Sequence, residues 1–237
     1  MIEPYWTSKD GKHVVYCGDC EKVLNRLNDI GCVITDPPYG ISKIMKGGGG
    51  GRRSSWNFSQ NATAQWDKNT VDTVLELPKF GDCIIWGGNY YALPPSRGWL
   101  VWDKQQPDTW TTGQCELAWT NLEVPVRAFR MCQAVAHDEM RPKKHPTQKP
   151  LSLIEWCFKW IKETEQYVLD PFMGSGTTGV ACVRLNRRFI GIEISQEYCD
   201  IAVERIKREL SQPRLELEPQ PSFEQASLLP EMESING

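Results

Sequence analysis

Short apolar runs alternate with amphipathic stretches along most of this chain, and that alternation predicts its elements. His13 to Cys17, Cys32 to Thr35, Cys83 to Trp86, Trp99 to Trp102, Tyr167 to Asp170 and Phe189 to Ile194 are compact apolar runs bounded by Gly, Pro or Asp. Such runs read as buried strands. Between them, Glu21 to Leu27, Val71 to Leu77, Leu151 to Ile161, Thr177 to Leu185 and Gln196 to Leu210 carry helical spacing. In the last of these the apolar positions are Tyr198, Ile201, Ala202 and Ile206. Cys115 to Thr120 and Val124 to Phe129 read as a pair of strands. Pro150 is expected at the first position of its helix, where its missing N–H costs nothing.

Two stretches lack any period. Residues 41–67 contain Gly47 to Gly51, five glycines in a row, followed by Arg52 and Arg53. Such a run holds no regular element. It reads as a mobile flap with arginines for phosphates, or as a plain linker. Residues 211–237 are rich in Pro, Ser and Glu and read as a flexible acidic tail.

Chemistry concentrates at the strand ends. After Cys32 to Thr35 comes Asp36-Pro37-Pro38-Tyr39. Two prolines stop the strand and fix a kinked turn. The set then presents a carboxylate, backbone carbonyls without local partners, and an aromatic ring. It suits a flat ring bearing an amino group: Asp36 and a turn carbonyl accept from the NH2, and Tyr39 stacks on the face. A proline-rich turn with an N-capping Asp is the plainer reading of the same residues. Asp19, after Gly18, falls at another strand end or caps the helix that follows.

A second constellation lies near the carboxyl end. Tyr167 to Asp170, the loop Pro171-Phe172-Met173-Gly174-Ser175-Gly176 and the helix from Thr177 form a βαβ unit with the strand ending in Glu193. Gly174-x-Gly176-x-x-Gly179 satisfies the dinucleotide pattern, and Glu193 lies where an acid accepts from ribose hydroxyls. Asp170 and Phe172 oppose a pyrophosphate at this turn. An adenosine cofactor with a cationic centre and an amino-acid tail fits better, namely S-adenosylmethionine. Asp170 is then expected near its ammonium or sulfonium, and Lys149, beside a helix N-terminus, near its carboxylate.

Composition narrows the class. With 237 residues the chain is one domain, or one with an insertion. The net charge of −3 is uneven: residues 211–237 hold five Glu against Arg214, leaving residues 1–210 at +1. Arg127 to Lys149 gathers six basic residues against Asp138 and Glu139. A basic strip on a near-neutral body fits nucleic acid better than a membrane, although a solvated loop has the same composition. Arg130, Lys143 and Lys144 of this strip, with Arg52, Arg53 and Trp110, are the candidate contacts. Nine cysteines, most inside apolar segments, indicate reduced thiols. Cys17-x-x-Cys20 is half a zinc pattern without a matching second pair, so no metal is expected. With neither a signal peptide nor a long apolar run, the chain is expected to be soluble and cytoplasmic.

Taken in order, these motifs resemble those of the amino-methylating DNA methyltransferases that act on adenine N6 or cytosine N4. Asp36-Pro37-Pro38-Tyr39 looks like their catalytic motif, and Asp170 to Gly176 like their cofactor motif. The catalytic motif comes first, as in the permuted group usually called β. His145-Pro146-Thr147-Gln148-Lys149-Pro150 is similar to that group's cofactor-tail motif, Gly18-Asp19 to its adenine-binding acid, and Val101 to Lys104 to a later catalytic-half motif. The resemblance spans roughly residues 13 to 208.

It implies an α/β fold: a doubly wound, mostly parallel, seven-stranded sheet in residues 1–210, with a short target-recognition segment in 107–144. It implies Asp36, Pro37, Pro38 and Tyr39 as catalytic residues. It places the cofactor against Asp19, Cys20, Thr147, Lys149, Asp170, Phe172, Gly174, Ser175, Gly176, Thr177 and Glu193. The substrate is expected to be double-stranded DNA and the product N6-methyladenine, since Asp at position 36 leans that way and Ser is commoner for cytosine N4. A segment this short points to dimerisation or to help from the glycine-rich flap. The host is expected to be a bacterium or a phage-infected cell, with the enzyme part of a restriction-modification pair or an orphan. Cytosine N4 methylation, RNA as substrate, a nicotinamide-dependent oxidoreductase and an idle nucleic-acid binder are the competing readings.

Overall fold

The computed structural model describes residues 3–40, 71–109, 113–141 and 148–213. Among them nine strands form one mixed sheet: β1 (Trp6–Thr7), β2 (His13–Cys17), β3 (Ile30–Thr35), β4 (Asp82–Trp86), β5 (Trp99–Asp103), β6 (Cys115–Thr120), β7 (Arg127–Arg130), β8 (Tyr167–Asp170) and β9 (Arg188–Glu193). The spatial order is β1-β2-β9-β8-β3-β4-β6-β5-β7. The helices are α1 (Cys20–Leu24), α2 (Gln133–Glu139), α3 (Leu151–Cys157), α4 (Thr177–Arg184) and α5 (Gln196–Leu210).

The central strands β2, β9, β8, β3 and β4 are all mutually parallel. Parallel strands are covered on both faces, which is why they read as unbroken apolar runs. Successive side chains divide between two cores as the pleat requires. Cys32, Ile34, Ile84, Trp86, Val168 and Phe189 join the core under α3, α4 and α5. Val33, Cys83, Ile85, Leu169, Ile190 and Ile192 join the other, under α1 and the segment Asp72–Phe80. The sheet is therefore doubly wound.

Parallel alignment brings five strand ends to one edge. Gly18-Asp19 follows β2, Asp36 to Tyr39 follows β3, Gly87 to Tyr90 follows β4, Pro171 to Gly176 follows β8, and Ile194-Ser195 follows β9. Both motifs from opposite ends of the chain meet there.

The structure corrects several expectations. Nine strands stand where seven were expected, because β1 pairs back on β2 and three strands extend the sheet beyond β4. The helix expected over Val71 to Leu77 is present as a 3-10 helix, Asp72–Phe80, with Pro78 inside it. Proline removes the N–H that an α-helical bond there needs. β6 and β7 do not pair with each other: β6 is antiparallel to β4 and β5, and β7 is parallel to β5. The α-helical part of Leu151 to Ile161 ends at Cys157, and Pro150 is its N-cap, not its first turn. Within the segment 107–144, residues 113–141 supply β6, β7 and α2.

Candidate active site

At the carboxyl edge of the parallel strands lies a cavity of about 510 Å³. That falls within the range of small-molecule sites, roughly 300–1,000 Å³. Asp19, Cys20, Asp36, Pro38, Lys149, Phe172, Gly174, Ser175, Thr177 and Glu193 all line it, although they are spread over most of the chain. Trp86, Gln148, Ile194 and Tyr198 also belong to the wall.

Each polar wall residue is fixed from behind. Asp19 caps α1 through Oδ1, which accepts from the Glu21 amide at 3.0 Å. Glu193 accepts from the Gly174 amide at 3.0 Å with one oxygen and the Ser195 amide at 2.9 Å with the other. Burial pushes its carboxyl up, and these two bonds oppose the rise. Each carboxylate oxygen keeps a second lone pair for a ligand. Arg205, which the sequence did not flag, reaches from α5 to the glycine-rich loop. Its guanidinium donates to the Ser175 carbonyl at 2.5 Å, the Ser175 hydroxyl at 2.9 Å and the Thr177 hydroxyl at 3.2 Å.

Asp170 and Gly176 depart from expectation by not lining the cavity. Asp170 accepts from the Thr35 hydroxyl at 2.8 Å, the Thr178 hydroxyl at 2.7 Å and the Phe172 amide at 3.2 Å. It ties the strand carrying Asp36 to the glycine-rich loop, and both its oxygens are engaged within the protein. Gly176 caps α4 at φ 76°. A Cβ there would meet Ala202 at 2.7 Å, so this glycine lets α5 approach the loop.

Burial pushes the Asp170 carboxyl up to about 6. The fold then keeps a proton on it that the unfolded chain releases near its ordinary value of 3.8. That preference favours the folded state in acid and is lost as pH rises through about 6. Asp170→Asn removes it. Its stability relative to wild type is expected to improve between pH 4 and pH 7, by up to about 3 kcal/mol. Chemical denaturation of both proteins at several pH values checks this; a difference that does not change with pH refutes it.

Around Asp36 the geometry is tight. Its Oδ2 lies 2.5 Å from the Lys149 ammonium, and its Oδ1 accepts from the Tyr39 hydroxyl. The Tyr39 ring stacks on Tyr90, with centroids 5.0 Å apart and planes at 22°. Tyr91 donates its hydroxyl to the Pro38 carbonyl. Pro37 is buried. Burial pushes the Asp36 carboxyl up, and the neighbouring Lys149 charge pulls it back. Lys149 was expected on the cofactor's carboxylate. Although it borders the cavity, its ammonium is held between Asp36 and Glu116, which sits 3.2 Å away.

Of the candidate DNA contacts, Arg130 is exposed on β7, 3.6 Å from Asp103. Arg52, Arg53, Trp110, Lys143 and Lys144 lie outside the described residues, as do Thr147 of the cofactor set, the glycine-rich run and most of the acidic tail. Among the described residues, no helix is long and apolar enough to cross a membrane.

A doubly wound sheet with a glycine-rich loop at one strand end and a half-buried carboxylate at the next, both at one cavity, is an arrangement suited to a nucleotide-type cofactor. Comparison with known proteins narrows this. The family model for DNA methylases of the N6/N4 type matches residues 94–204. The chain is 46% identical over 239 residues to the type II methyltransferase M.HpaI of Haemophilus parainfluenzae, covering 82% of this chain and 74% of that one. To M2.MboI of Moraxella bovis it is 27% identical over 270 residues, 86% of this chain and 91% of the relative. Among solved structures, the cytosine-N4-specific PvuII DNA methyltransferase shares the fold with a TM-score of 0.55 at 18% identity, covering 86% and 88% of the two chains. The M1.HpyAVI–SAM complex does so at 0.51 and 24%, covering 82% and 98%. The chain belongs to the N6/N4 family of amino DNA methyltransferases. It is an S-adenosylmethionine-dependent enzyme that methylates amino groups of DNA bases.

Proposed function

We propose that this enzyme methylates adenine N6 in double-stranded DNA, using Asp36, Pro37, Pro38 and Tyr39 on a base turned out of the helix. One observation carries the reading: a half-buried carboxylate, held from behind by Lys149, at the rim of a cavity walled by the glycine-rich loop and Glu193.

The cavity's residues fit the cofactor. Phe172, Ile194 and Tyr198 offer apolar surface for adenine, Glu193 offers acceptors for ribose hydroxyls, and Gly174 and Ser175 let the backbone come close. Asp19, Cys20, Thr177 and Thr147, the last outside the described residues, complete the set carried by the resemblance. S-adenosylmethionine, when bound, supplies an electrophilic methyl group.

The chain's own groups then act on the base. A target atom buried in a duplex requires the base to be flipped out. The amino lone pair of adenine is delocalised into the ring and is a weak nucleophile. Asp36 accepts a hydrogen bond from the NH2, with the Pro37 carbonyl as second acceptor, and favours a pyramidal nitrogen. The arriving NH2 replaces the Tyr39 hydroxyl on Oδ1, and the freed ring stacks on the base. Positioning the nitrogen in line with the methyl supplies much of the rate. An Asp at position 36 supports adenine over cytosine by the leaning of the family. Arg130 and the basic strip support phosphate contacts, and the shortness of the segment 107–144 supports action as a dimer.

The test is direct. The full chain is incubated with labelled S-adenosylmethionine and mixed-sequence duplex DNA, and the DNA is digested to nucleosides. Label in N6-methyldeoxyadenosine is expected. Label in N4-methyldeoxycytidine keeps the mechanism and overturns the base assignment.

A further inference from the structure

We propose that Lys104, Glu116 and Lys149 form a charge array that positions Asp36 as a carboxylate, and that Lys149 serves this residue and not the cofactor's tail. The inference rests on the reading of Asp36 as the acceptor for the base's amino group.

The array links three parts of the fold. Glu116 sits on β6, Lys104 follows β5, and Lys149 precedes α3. Lys104 lies 2.7 Å from one Glu116 oxygen, and Lys149 lies 3.2 Å from the other. Lys149 then contacts Asp36 at 2.5 Å and the Tyr39 hydroxyl oxygen at 3.3 Å. Charges alternate along the line, so two acids balance two bases. Buried charges persist only when balanced in this way. An ammonium has three protons. Here three oxygens surround it, from Asp36, Glu116 and Tyr39, and the Lys149 side chain is only 8% exposed. Among the described residues, its charge is thus balanced within the protein by Asp36 and Glu116.

The array answers a chemical need. Burial favours the protonated form of Asp36, and a protonated acid offers one acceptor oxygen fewer to an NH2. Lys149 opposes that protonation. Glu116 anchors Lys149, yet as a second carboxylate it pushes Asp36 the other way, and Lys104 offsets this. The titratable groups facing Asp36 are thus Tyr39 of its own turn, Lys149, Glu116 and, behind β3, Asp170. Glu116 is held at about 2: burial would raise it, but Lys149 and Lys104 prevail.

Two substitutions are expected to move the same property in opposite directions. Lys149→Met removes the positive neighbour, so the acidic limb of kcat against pH shifts up by a unit or more. Activity on the acidic side of the profile falls and recovers in part at higher pH. Glu116→Gln removes the negative neighbour while keeping the shape. The limb shifts down, and the plateau falls severalfold because Lys149 loses its anchor. Lys149→Arg keeps the limb near that of wild type. The full chain is used throughout, with S-adenosylmethionine affinity measured by calorimetry without DNA. Both Lys149 variants and Glu116→Gln are expected to bind within about threefold of wild type. A large loss of affinity in Lys149→Met with an unmoved limb returns Lys149 to the cofactor's carboxylate and overturns the proposal. Equal losses at every pH also overturn it, since a merely structural role acts that way. If Lys149→Met does not fold, Glu116→Gln carries the test alone, and an unshifted limb is fatal. Wild-type protein that labels no amino group would instead defeat the reading of Asp36, while the affinity arm still reports on Lys149.

Discussion

Asp36→Ala is expected to bind S-adenosylmethionine within about threefold of wild type and to transfer methyl at least about 10³-fold more slowly. Losing one positioned acid–base or hydrogen-bonding group costs roughly 10²–10⁴ in rate. The upper part of that range applies because the role proposed for Asp36 is to present the charged acceptor to the NH2. The fold is expected to survive. Lys149 keeps Glu116 at 3.2 Å, so removing Asp36 does not leave a buried ammonium without a counter-charge. Affinity is expected to hold because Glu193 and the glycine-rich loop are fixed by their own bonds to Gly174, Ser195 and Arg205. The measurement is single-turnover transfer beside calorimetric binding. Residual turnover above about a tenth of wild type removes Asp36 from the mechanism, and a collapse of affinity makes it a cofactor residue.

The parts of the fold readable from sequence are those governed by local pattern. The strands at Cys32 to Thr35, Cys83 to Trp86 and Tyr167 to Asp170 announce themselves because parallel strands are buried on both faces. Two features were legible for the same reason: Asp36-Pro37-Pro38-Tyr39 falls where one run stops, and the glycine-rich loop where another does. Pairing partners were not legible. β6 and β7 look like neighbours because they are close in sequence, yet β5 lies between them. Nothing in either strand's pattern specifies which edge it will meet.

The site shows the same division. Lys149 beside a helix start is a reasonable anion site when read locally. Its actual partners, Asp36 and Glu116, lie 113 and 33 positions away and enter only through the folded sheet. The sequence contained a hint: Glu116 interrupts the strand Cys-Glu-Leu-Ala-Trp-Thr, an acid in an otherwise apolar run. Asp170 was correctly seen as a strand-end carboxylate. Its use in binding Thr35 and Thr178 was out of reach, because Thr35 belongs to a strand 135 positions earlier. Arg205 was hidden among the charged positions of an amphipathic helix, where an arginine on the loop looks like any solvated one.

Gly87→Ala is expected to cut methyl transfer about 10- to 100-fold with little change in cofactor affinity. Gly87 follows β4 in the left-handed region, at φ 67°. An L residue there is strained by about 1 kcal/mol or somewhat more. Space is the larger obstacle. A Cβ would sit 2.0 Å from the Tyr39 ring, well inside contact distance. The backbone of Gly87 is pinned by its amide bond to the Leu117 carbonyl at 2.8 Å, so the ring must yield instead. Tyr39 would then leave Asp36 and its stack on Tyr90, losing the place from which it receives a base. Misplacing a reacting partner by about 1 Å costs up to 10² in rate. The proposed cofactor contacts lie in the loop after β8, on β9 and at the start of α1, away from this turn, so affinity reports on the fold and kcat on Tyr39. Combining Gly87→Ala with Tyr39→Ala provides the decisive cycle. If the glycine acts through the ring, the double variant is no slower than Tyr39→Ala alone. Additive losses would mean that Gly87 supports the site by another route.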